Sequence, residues 1–211
     1  MQLRQHLALF GLILLGLAFQ PAAHAAQAGK DYLLLPAQTT GSPGKIEVVE
    51  FFAYTCPHCF DLEPELVAWK KNLPRDVVFK RVPAVFSAKW EPMARAFYTL
   101  EALGRLDRLH HDVFEAIHVK NRNLGSAAAF ADWAAGQGLD RKQVLTTFNS
   151  FAIGMKVAQA RQMSESYRLE GVPALAVNGK YLTSGSLTGS HASALQVVNH
   201  LIAQERGSRR R

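Results

Sequence analysis

Two cysteines, Cys56 and Cys59, are the residues of this chain best suited to chemistry. They are its only cysteines, they stand three positions apart, and Pro57 and His58 separate them. In the first turn of a helix, two cysteines at this spacing can bring their sulfurs within bonding distance and cycle between dithiol and disulfide. The motif therefore indicates thiol–disulfide exchange.

The two thiols should differ in reactivity because of where the helix begins. Cys56 would lie at the helix N-terminus, where free N–H groups and the positive end of the helix dipole favour an anion, so its pKa should fall. Pro57 suits the first turn because it has no N–H to satisfy, and His58 adds a donor or a positive charge. Cys59 should be more buried and act as the second thiol.

Strand and helix patterns surround the motif. Residues 46–53 are rich in β-branched and aromatic residues, which indicates a buried strand. Residues 56–71 have apolar residues at helical spacing, and Thr55 can cap that helix. A second strand is predicted over residues 77–82.

The middle of the chain is predicted to be helical. Capping residues and glycines divide it into helices over residues 91–104, 106–120, 126–136, 140 onwards, and 150–170 before Gly171. His110, His111 and His118 lie on the second of these helices, and we interpret them as ordinary, partly exposed histidines.

Strand signals return towards the C-terminus. Residues 173–183 are predicted to form a hairpin around Asn178-Gly179, followed by a loop over residues 185–189 and a final helix capped by Ser190. The order is strand–helix–strand, a block of helices, then two strands and a helix. It predicts an α/β sheet interrupted by an inserted helical domain.

The N-terminus has the features of a secretory signal peptide. Residues 7–19 form an uncharged, apolar run, preceded by Arg4 and followed by an A-x-A cleavage site ending at Ala25. A membrane anchor is the weaker alternative, because about 20 apolar residues are needed to cross a bilayer. We expect residues 1–25 to be removed on export.

The remaining chain is expected to contain a sheet domain, an inserted domain and a tail. The sheet domain comprises residues 26–87 and 161–204, the helical domain residues 88–160, and the basic tail residues 205–211. The net charge is +7, and four arginines lie in that tail. The body of the chain is therefore only mildly basic, which argues against nucleic-acid binding, and we interpret the tail as solvated and frayed.

Alternative uses of the cysteine pair are weaker. Export places the pair where disulfides persist, but a loop this short would give a structural disulfide little stabilising effect. Zinc binding would need two more ligands at suitable spacing, and none is evident. A metal-trafficking protein, or a peptide-binding module with incidental cysteines, remains an alternative.

The sequence around these features resembles the DsbA family of bacterial periplasmic thiol:disulfide oxidoreductases, in the thioredoxin superfamily. The resemblance lies in KIEVVEFF at 45–52 with CPHC at 56–59, and in EGVPA at 170–174 with VNGKY at 177–181. It implies a thioredoxin fold with an inserted all-helical domain. This family is itself a known case of an acidified C-x-x-C thiol, so the lowered pKa is not an independent prediction.

The resemblance also implies roles for individual residues. Cys56 would form the mixed disulfide with substrate, and Cys59 would resolve it. Pro173 would be a cis-proline facing the cysteines, and Val172 would offer backbone hydrogen bonds to an extended substrate. The catalytic residues implied are Glu50, Cys56, Pro57, His58, Cys59 and Pro173.

Glu50 lies in the predicted buried strand, where a charge is costly. An edge position with an exposed side chain is the alternative. In the family, the matching glutamate lies beneath the cysteines and helps to move protons, beside a basic residue on the neighbouring strand. Here that residue is Lys80 or Arg81, and Arg81 is slightly preferred, although the family more often has lysine.

The function implied by the resemblance is a periplasmic oxidase. It would donate its disulfide to newly exported, unfolded proteins with free cysteines, and a membrane thiol oxidase of the DsbB type would reoxidise it. No metal and no cofactor beyond the cysteine pair are expected. An isomerase or reductase is the alternative, but isomerases usually have an N-terminal dimerisation domain, for which residues 26–45 are too few, so a monomer is expected.

Overall fold

A five-stranded mixed sheet forms the frame of the protein. The structure, a computed structural model, describes residues 26–209, so the predicted signal segment lies outside the described residues. The strand order is β1-β5-β4-β2-β3. The strands are β1 (Leu33–Leu34), β2 (Ile46–Phe52), β3 (Val77–Pro83), β4 (Ala174–Val177) and β5 (Tyr181–Thr183).

Helices cover both faces of the sheet. α1 and α8 pack on one face, and the block α2–α6 packs on the other. The helices are α1 (Pro57–Lys70), α2 (Glu91–Ala102), α3 (Leu106–His118), α4 (Ala127–Gly136), α5 (Arg141–Phe148), α6 (Phe151–Ser166), α7 (Gly185–Thr188) and α8 (His191–Ser208). An α/β sheet interrupted by helices is therefore confirmed.

Strand β2 lies at the centre of the fold. It pairs in parallel with β3 and antiparallel with β4, and all seven of its residues are buried. Side chains alternate between the two faces of a strand. Ile46 and Val48 pack in the cluster formed with α1 and α8, whereas Val49 and Phe51 pack in the cluster formed with the helical block. Glu50 therefore faces α1.

Helix α6 differs from its prediction at its C-terminal end. It ends at Ser166 instead of reaching Gly171, because the backbone of Arg168 turns left-handed with φ of 50° and the N–H of Leu169 bonds the carbonyl of Ser164 at 3.0 Å. The helix also runs unbroken across the predicted domain boundary between residues 160 and 161.

Two connections near the C-terminus show how local chemistry sets the backbone. At the predicted hairpin, Asn178 and Gly179 have φ of 50° and 68°, and a Cβ at position 179 would collide with the carbonyl of Gln38. The segment predicted as a loop over residues 185–189 instead contains the short helix α7. Ser184 caps this helix by accepting a hydrogen bond from the N–H of Leu187 at 3.3 Å.

Helix α8 extends beyond residue 204, after which the basic tail was expected to begin. The described part of the tail is bound to the segments that precede β2 and β3. Arg206 donates two hydrogen bonds to Asp76, at 2.6 and 2.8 Å. Arg209 donates to the backbone carbonyls of Gly44 and Lys45. The interpretation of residues 205–209 as a frayed tail is therefore wrong.

Glu205 holds this end of α8 to the hairpin. Its side chain is buried and accepts hydrogen bonds from Lys180 at 2.9 and 3.0 Å and from the Tyr181 hydroxyl at 3.0 Å. The Asn178 side-chain amide also donates to this carboxylate. Among residues 26–209, no helix is long and apolar enough to span a membrane.

We expect Glu205→Ala to destabilise the protein. The substitution removes the carboxylate that accepts hydrogen bonds from Asn178, Lys180 and Tyr181. The free energy of unfolding should fall by about 2 kcal/mol, and not by more, because the partly exposed Lys180 can be solvated by water. The measurement is the free energy of unfolding in urea. Arg206→Ala is the matched control, because its ion pair with Asp76 is exposed and should contribute little. Equal effects of the two variants would contradict the role given to Glu205.

Candidate active site

Cys56 lies at the junction between the central strand and the first helix. After β2 ends, the N–H of Cys56 bonds the carbonyl of Ala53 at 3.0 Å, and Cys56 becomes the N-cap of α1 with extended backbone angles (φ −89°, ψ 117°). Pro57 occupies the first helical position. The sequence suggested Thr55 as the cap, but no side chain caps this helix. The N-terminal N–H groups are therefore available to the sulfur of Cys56.

The environment of Cys56 favours a thiolate. Hydrogen bonding from the Cys59 thiol, then the N–H groups of Cys59 and His58, and then the charge of His58 lower the pKa of Cys56 from 9.0 to about 6, against the opposing effect of partial burial. In its protonated form the thiol donates to the carbonyl of Val172 at 3.3 Å. Cys56 is half-buried, so part of the residue is open to solvent.

Cys59 has the opposite character. Its side chain is fully buried. Burial, followed by the hydrogen bond and charge of Cys56, raises the pKa of Cys59 well above its usual range, and the charge of Glu50 acts in the same direction. One turn of helix thus separates a stable thiolate from a thiol that stays protonated.

The loop before β4 lies against the cysteines. The Val172–Pro173 peptide bond is cis, and β4 begins at the next residue. Because β4 pairs with β2, this loop and Cys56 lie at the same end of the sheet. An open cavity of about 480 Å³ lies there, and its lining includes His58, Val172, Pro173 and His191. The loop thus places the partly exposed Val172 and Pro173 next to the sulfur of Cys56.

His58 points away from the protein interior. Its side chain is 74% exposed, and its Nδ1 lies 3.8 Å from a carboxylate oxygen of Asp61. The residue therefore affects Cys56 through its backbone N–H and its charge.

Glu50 is fully buried beneath α1, so the alternative of an exposed edge position is wrong. Burial raises the pKa of Glu50 to about 7, although the charge of Arg81 opposes this. In the parallel ladder Glu50 stands opposite Arg81, whose Nε donates to Glu50 Oε2 at 2.9 Å. Lys80 instead pairs with Glu47 at 2.5 Å. Arg81, the slightly preferred candidate, is thus the basic partner of Glu50.

Sequence reasoning missed a buried polar cluster beside Glu50. Arg81 also donates to both carboxylate oxygens of Glu63, at 2.8 and 2.7 Å. His110 lies 3.7 Å from Glu63, beyond hydrogen-bond length, and its Nδ1 is 2.8 Å from the Tyr54 hydroxyl. Glu63 follows Cys59 by one helical turn, so both residues lie on the buried face of α1. This spacing is the sequence signal that could have indicated a buried Glu63.

The three histidines of α3 do not share one environment. His111 is exposed, but His110 is buried on the stripe formed with Val113 and Phe114, so its interpretation as partly exposed is wrong. Burial lowers the pKa of His110 to about 4, and the histidine is neutral near pH 7. His118 bonds the carbonyl of Tyr54 at 2.8 Å. Within residues 26–209, no group of three metal-ligating side chains is close enough to hold an ion.

Comparison with known proteins places these features in context. The chain matches the sequence profile described as the DSBA-like thioredoxin domain over residues 62–196. It is 46% identical over 189 residues to the thiol:disulfide interchange protein DsbA of Bordetella parapertussis, covering 89% of this chain and 90% of that protein. It is 40% identical over 207 residues to DsbA of Pseudomonas aeruginosa, covering 97% and 98% of the two chains.

Solved structures show the same likeness. The crystal structure of Pseudomonas aeruginosa DsbA matches with a TM-score of 0.86 at 40% identity, covering 90% of this chain and 99% of that chain. That of DsbA from Xylella fastidiosa matches with a TM-score of 0.82 at 35% identity, covering 87% and 100%. The similarity thus extends over the sheet and the helical block together.

The contrast between the two thiols predicts selective alkylation. In the reduced protein, iodoacetamide should modify Cys56 with a midpoint near pH 6 and leave Cys59 unmodified, because only Cys56 becomes a thiolate. Mass spectrometry of the peptides measures both. Cys59→Ala should raise the midpoint, since it removes the largest stabilising contribution. Comparable labelling of the two cysteines in the folded protein would contradict this assignment.

Proposed function

Because this chain belongs to the DsbA family of thiol:disulfide oxidoreductases, we propose that it donates the Cys56–Cys59 disulfide to newly exported proteins through a mixed disulfide at Cys56. The observation that carries this proposal is the opposite protonation of two adjacent thiols: Cys56 is acidified and partly exposed, whereas Cys59 is buried and stays protonated. The protein is a dithiol oxidase.

The exchange proceeds in two displacements. A substrate thiolate attacks the sulfur of Cys56, the bond to Cys59 breaks, and the electron pair leaves on Cys59. The substrate's second thiolate then attacks the substrate sulfur of the mixed disulfide, which releases the oxidised substrate and Cys56 as a thiolate. The second step is favoured because the leaving sulfur has a low pKa.

The direction of exchange follows from the same stabilisation. Interactions that favour the Cys56 thiolate exist only in the reduced protein, so they stabilise the dithiol relative to the disulfide. The disulfide is then readily given to a substrate. Pro57 and His58 contribute by leaving the helix terminus free of side-chain caps and by placing a donor and a charge beside the sulfur.

Substrate chains are held by the loop at Val172 and Pro173. The carbonyl of Val172 lies within 3.3 Å of the Cys56 sulfur, so an extended segment bound to this backbone would bring its cysteine to the nucleophile. Backbone pairing of this kind accepts many sequences, which suits a catalyst that acts on unfolded chains.

Glu50 carries protons for Cys59. When Cys59 leaves as a buried thiolate it needs a proton, and during reoxidation its thiol must lose one. A carboxyl group with a pKa near 7 can act in both directions at neutral pH. The proposal is supported by the effect of the Glu50 charge on Cys59, since that charge raises the pKa of the thiol.

The cellular setting completes the proposal. The protein works as a monomer in the periplasm after removal of the signal peptide at residues 1–25, and it receives oxidising equivalents from a membrane thiol oxidase of the DsbB type. The substrates are unfolded exported proteins with free cysteines. The exchange uses the cysteine pair and no other cofactor.

Equilibration with glutathione tests the direction of exchange. We expect the cysteine pair to stay largely reduced even in strongly oxidising glutathione mixtures, because the disulfide is the less stable form. Acid trapping followed by mass measurement counts the free thiols. A pair that stays oxidised in reducing mixtures would instead indicate a reductase or a structural disulfide.

Stability against pH gives a second test. Cys56 has a pKa of about 6 when folded and 9.0 as its ordinary value, so between these pH values the folded dithiol binds fewer protons than the unfolded chain. Stability gained from this group therefore grows as the pH rises through that window and is lost as the pH falls through about 6. In the oxidised protein Cys56 is part of the disulfide and has no thiol to ionise, so this contribution to stability is absent.

Melting temperatures of both redox forms, measured from about pH 5 to about pH 8, should therefore separate. The reduced form should melt higher, and its advantage should increase with pH. Glu50 titrates in both forms, whereas the Cys56 thiol titrates only in the reduced form. A constant difference, or a more stable disulfide form, would contradict the proposed thiolate stabilisation.

A further inference from the structure

Two buried carboxylates share one guanidinium beneath the active-site helix. Glu50 on β2 and Glu63 on α1 are 0% and 3% exposed, and both bond Arg81 on β3. The sharing is unequal, because Nη2 of Arg81 donates to both oxygens of Glu63 whereas only Nε donates to Glu50. Among the described residues, Glu50 Oε1 has no hydrogen-bond partner.

We infer that Glu63 is a positioning residue that keeps Glu50 able to hold a proton at neutral pH, by engaging the Arg81 donor that Glu50 would otherwise use. The inference rests on the proposed function, in which Glu50 exchanges protons with Cys59. It adds a residue that hydrogen-bonds Arg81 and touches neither substrate nor the cysteine sulfurs.

The geometry of arginine explains why the competition matters. Nε and Nη2 lie on one edge of the guanidinium, and this edge can bind both oxygens of a carboxylate through two parallel hydrogen bonds. Here Nη2 donates to Glu63, so Glu50 accepts a hydrogen bond from Nε alone. A fully bound fork would stabilise the Glu50 carboxylate and favour loss of its proton.

The charge of Glu63 acts on Glu50 in the same direction as its competition for Arg81. Arg81 and Lys70 favour its carboxylate form, while burial and the negative charge of Glu63 favour the protonated form. Burial alone would raise the pKa of Glu63, but its contacts with His110 and Arg81 outweigh burial and lower it, so Glu63 stays charged at neutral pH.

The remaining neighbours of this cluster hold fixed states near pH 7. His110 is neutral, since burial lowers its pKa to about 4. Burial raises the pKa of Tyr54 well above its usual range, and Cys59 is protonated for the same reason. Glu50 is therefore the group of this cluster poised to exchange a proton at neutral pH.

Removing the charge of Glu63 tests the inference. In reduced protein labelled with ¹³C at glutamate side chains, the Glu50 carboxyl resonance, assigned by its loss in Glu50→Gln, should titrate near pH 7. Glu63→Gln should lower this midpoint by about one pH unit or more, because Arg81 can then engage both oxygens of Glu50. The protonated fraction of Glu50 at pH 7 would fall about fivefold.

Variants of graded chemistry separate positioning from folding defects. Glu63→Met, of similar volume, should lower the midpoint as Glu63→Gln does and serves if the latter fails to fold. Glu63→Asp keeps the charge and should stay within about half a pH unit of the native midpoint. Glu47→Gln is the matched control: Glu47 is also buried on β2 and paired with a β3 cation, but it contacts Lys80 rather than Arg81.

The outcomes distinguish this inference from the proposed function. An unchanged midpoint in folded Glu63→Gln and Glu63→Met overturns the inference, even if the native protein oxidises a reduced client. Equal shifts in Glu63→Gln and Glu47→Gln also overturn it, because the effect would then be general. Failure of the native oxidised protein to form disulfides in a reduced client rejects the proposed function whatever the midpoint.

Discussion

The active site depends on holding one sulfur as an anion and the next as a neutral thiol within a single helical turn. A helix N-terminus does this because its free N–H groups point at the capping residue, while the residue three positions later is already inside the fold. Cys56 receives the donors and Cys59 receives the burial. Strands β2 and β4 serve this asymmetry, because β2 leads into Cys56 and β4 follows the loop whose Val172 carbonyl lies 3.3 Å from the Cys56 sulfur.

Strand β2 connects the segments that hold the two cysteines, the Val172–Pro173 loop and Arg81. It leads into the cysteine loop, it pairs with the strand that follows Pro173, and it pairs with the strand that carries Arg81. Glu50 reaches the underside of α1 because it has the same parity along the strand as Ile46 and Val48. The carboxylate pair around Arg81 then relies on arginine in particular, because a lysine would offer a point charge in place of a planar fork.

Much of this arrangement is readable from local sequence. The cysteine motif, the buried strand and the Asn178-Gly179 turn each depend on a few adjacent residues, and each has the predicted form. The end of α6 was misplaced because Arg168 adopts a conformation usually reserved for glycine. The burial of His110 and the link between Arg81 and Glu63 depend on elements far apart in the chain. No local pattern encodes such pairings, so the sequence alone could only narrow the basic partner of Glu50 to two residues.

The central position of β2 has a consequence for how sequences of this kind can diverge over time. Because side chains alternate along a strand, one inserted residue between 46 and 56 would turn Glu50 towards the helical block or displace Cys56 from the helix terminus. That stretch is therefore fixed in length. The links between α3 and α4 and between α4 and α5 lie in the helical block, away from the strand register. Insertions and deletions can accumulate there, so the helical block can be remodelled while the redox chemistry is inherited unchanged.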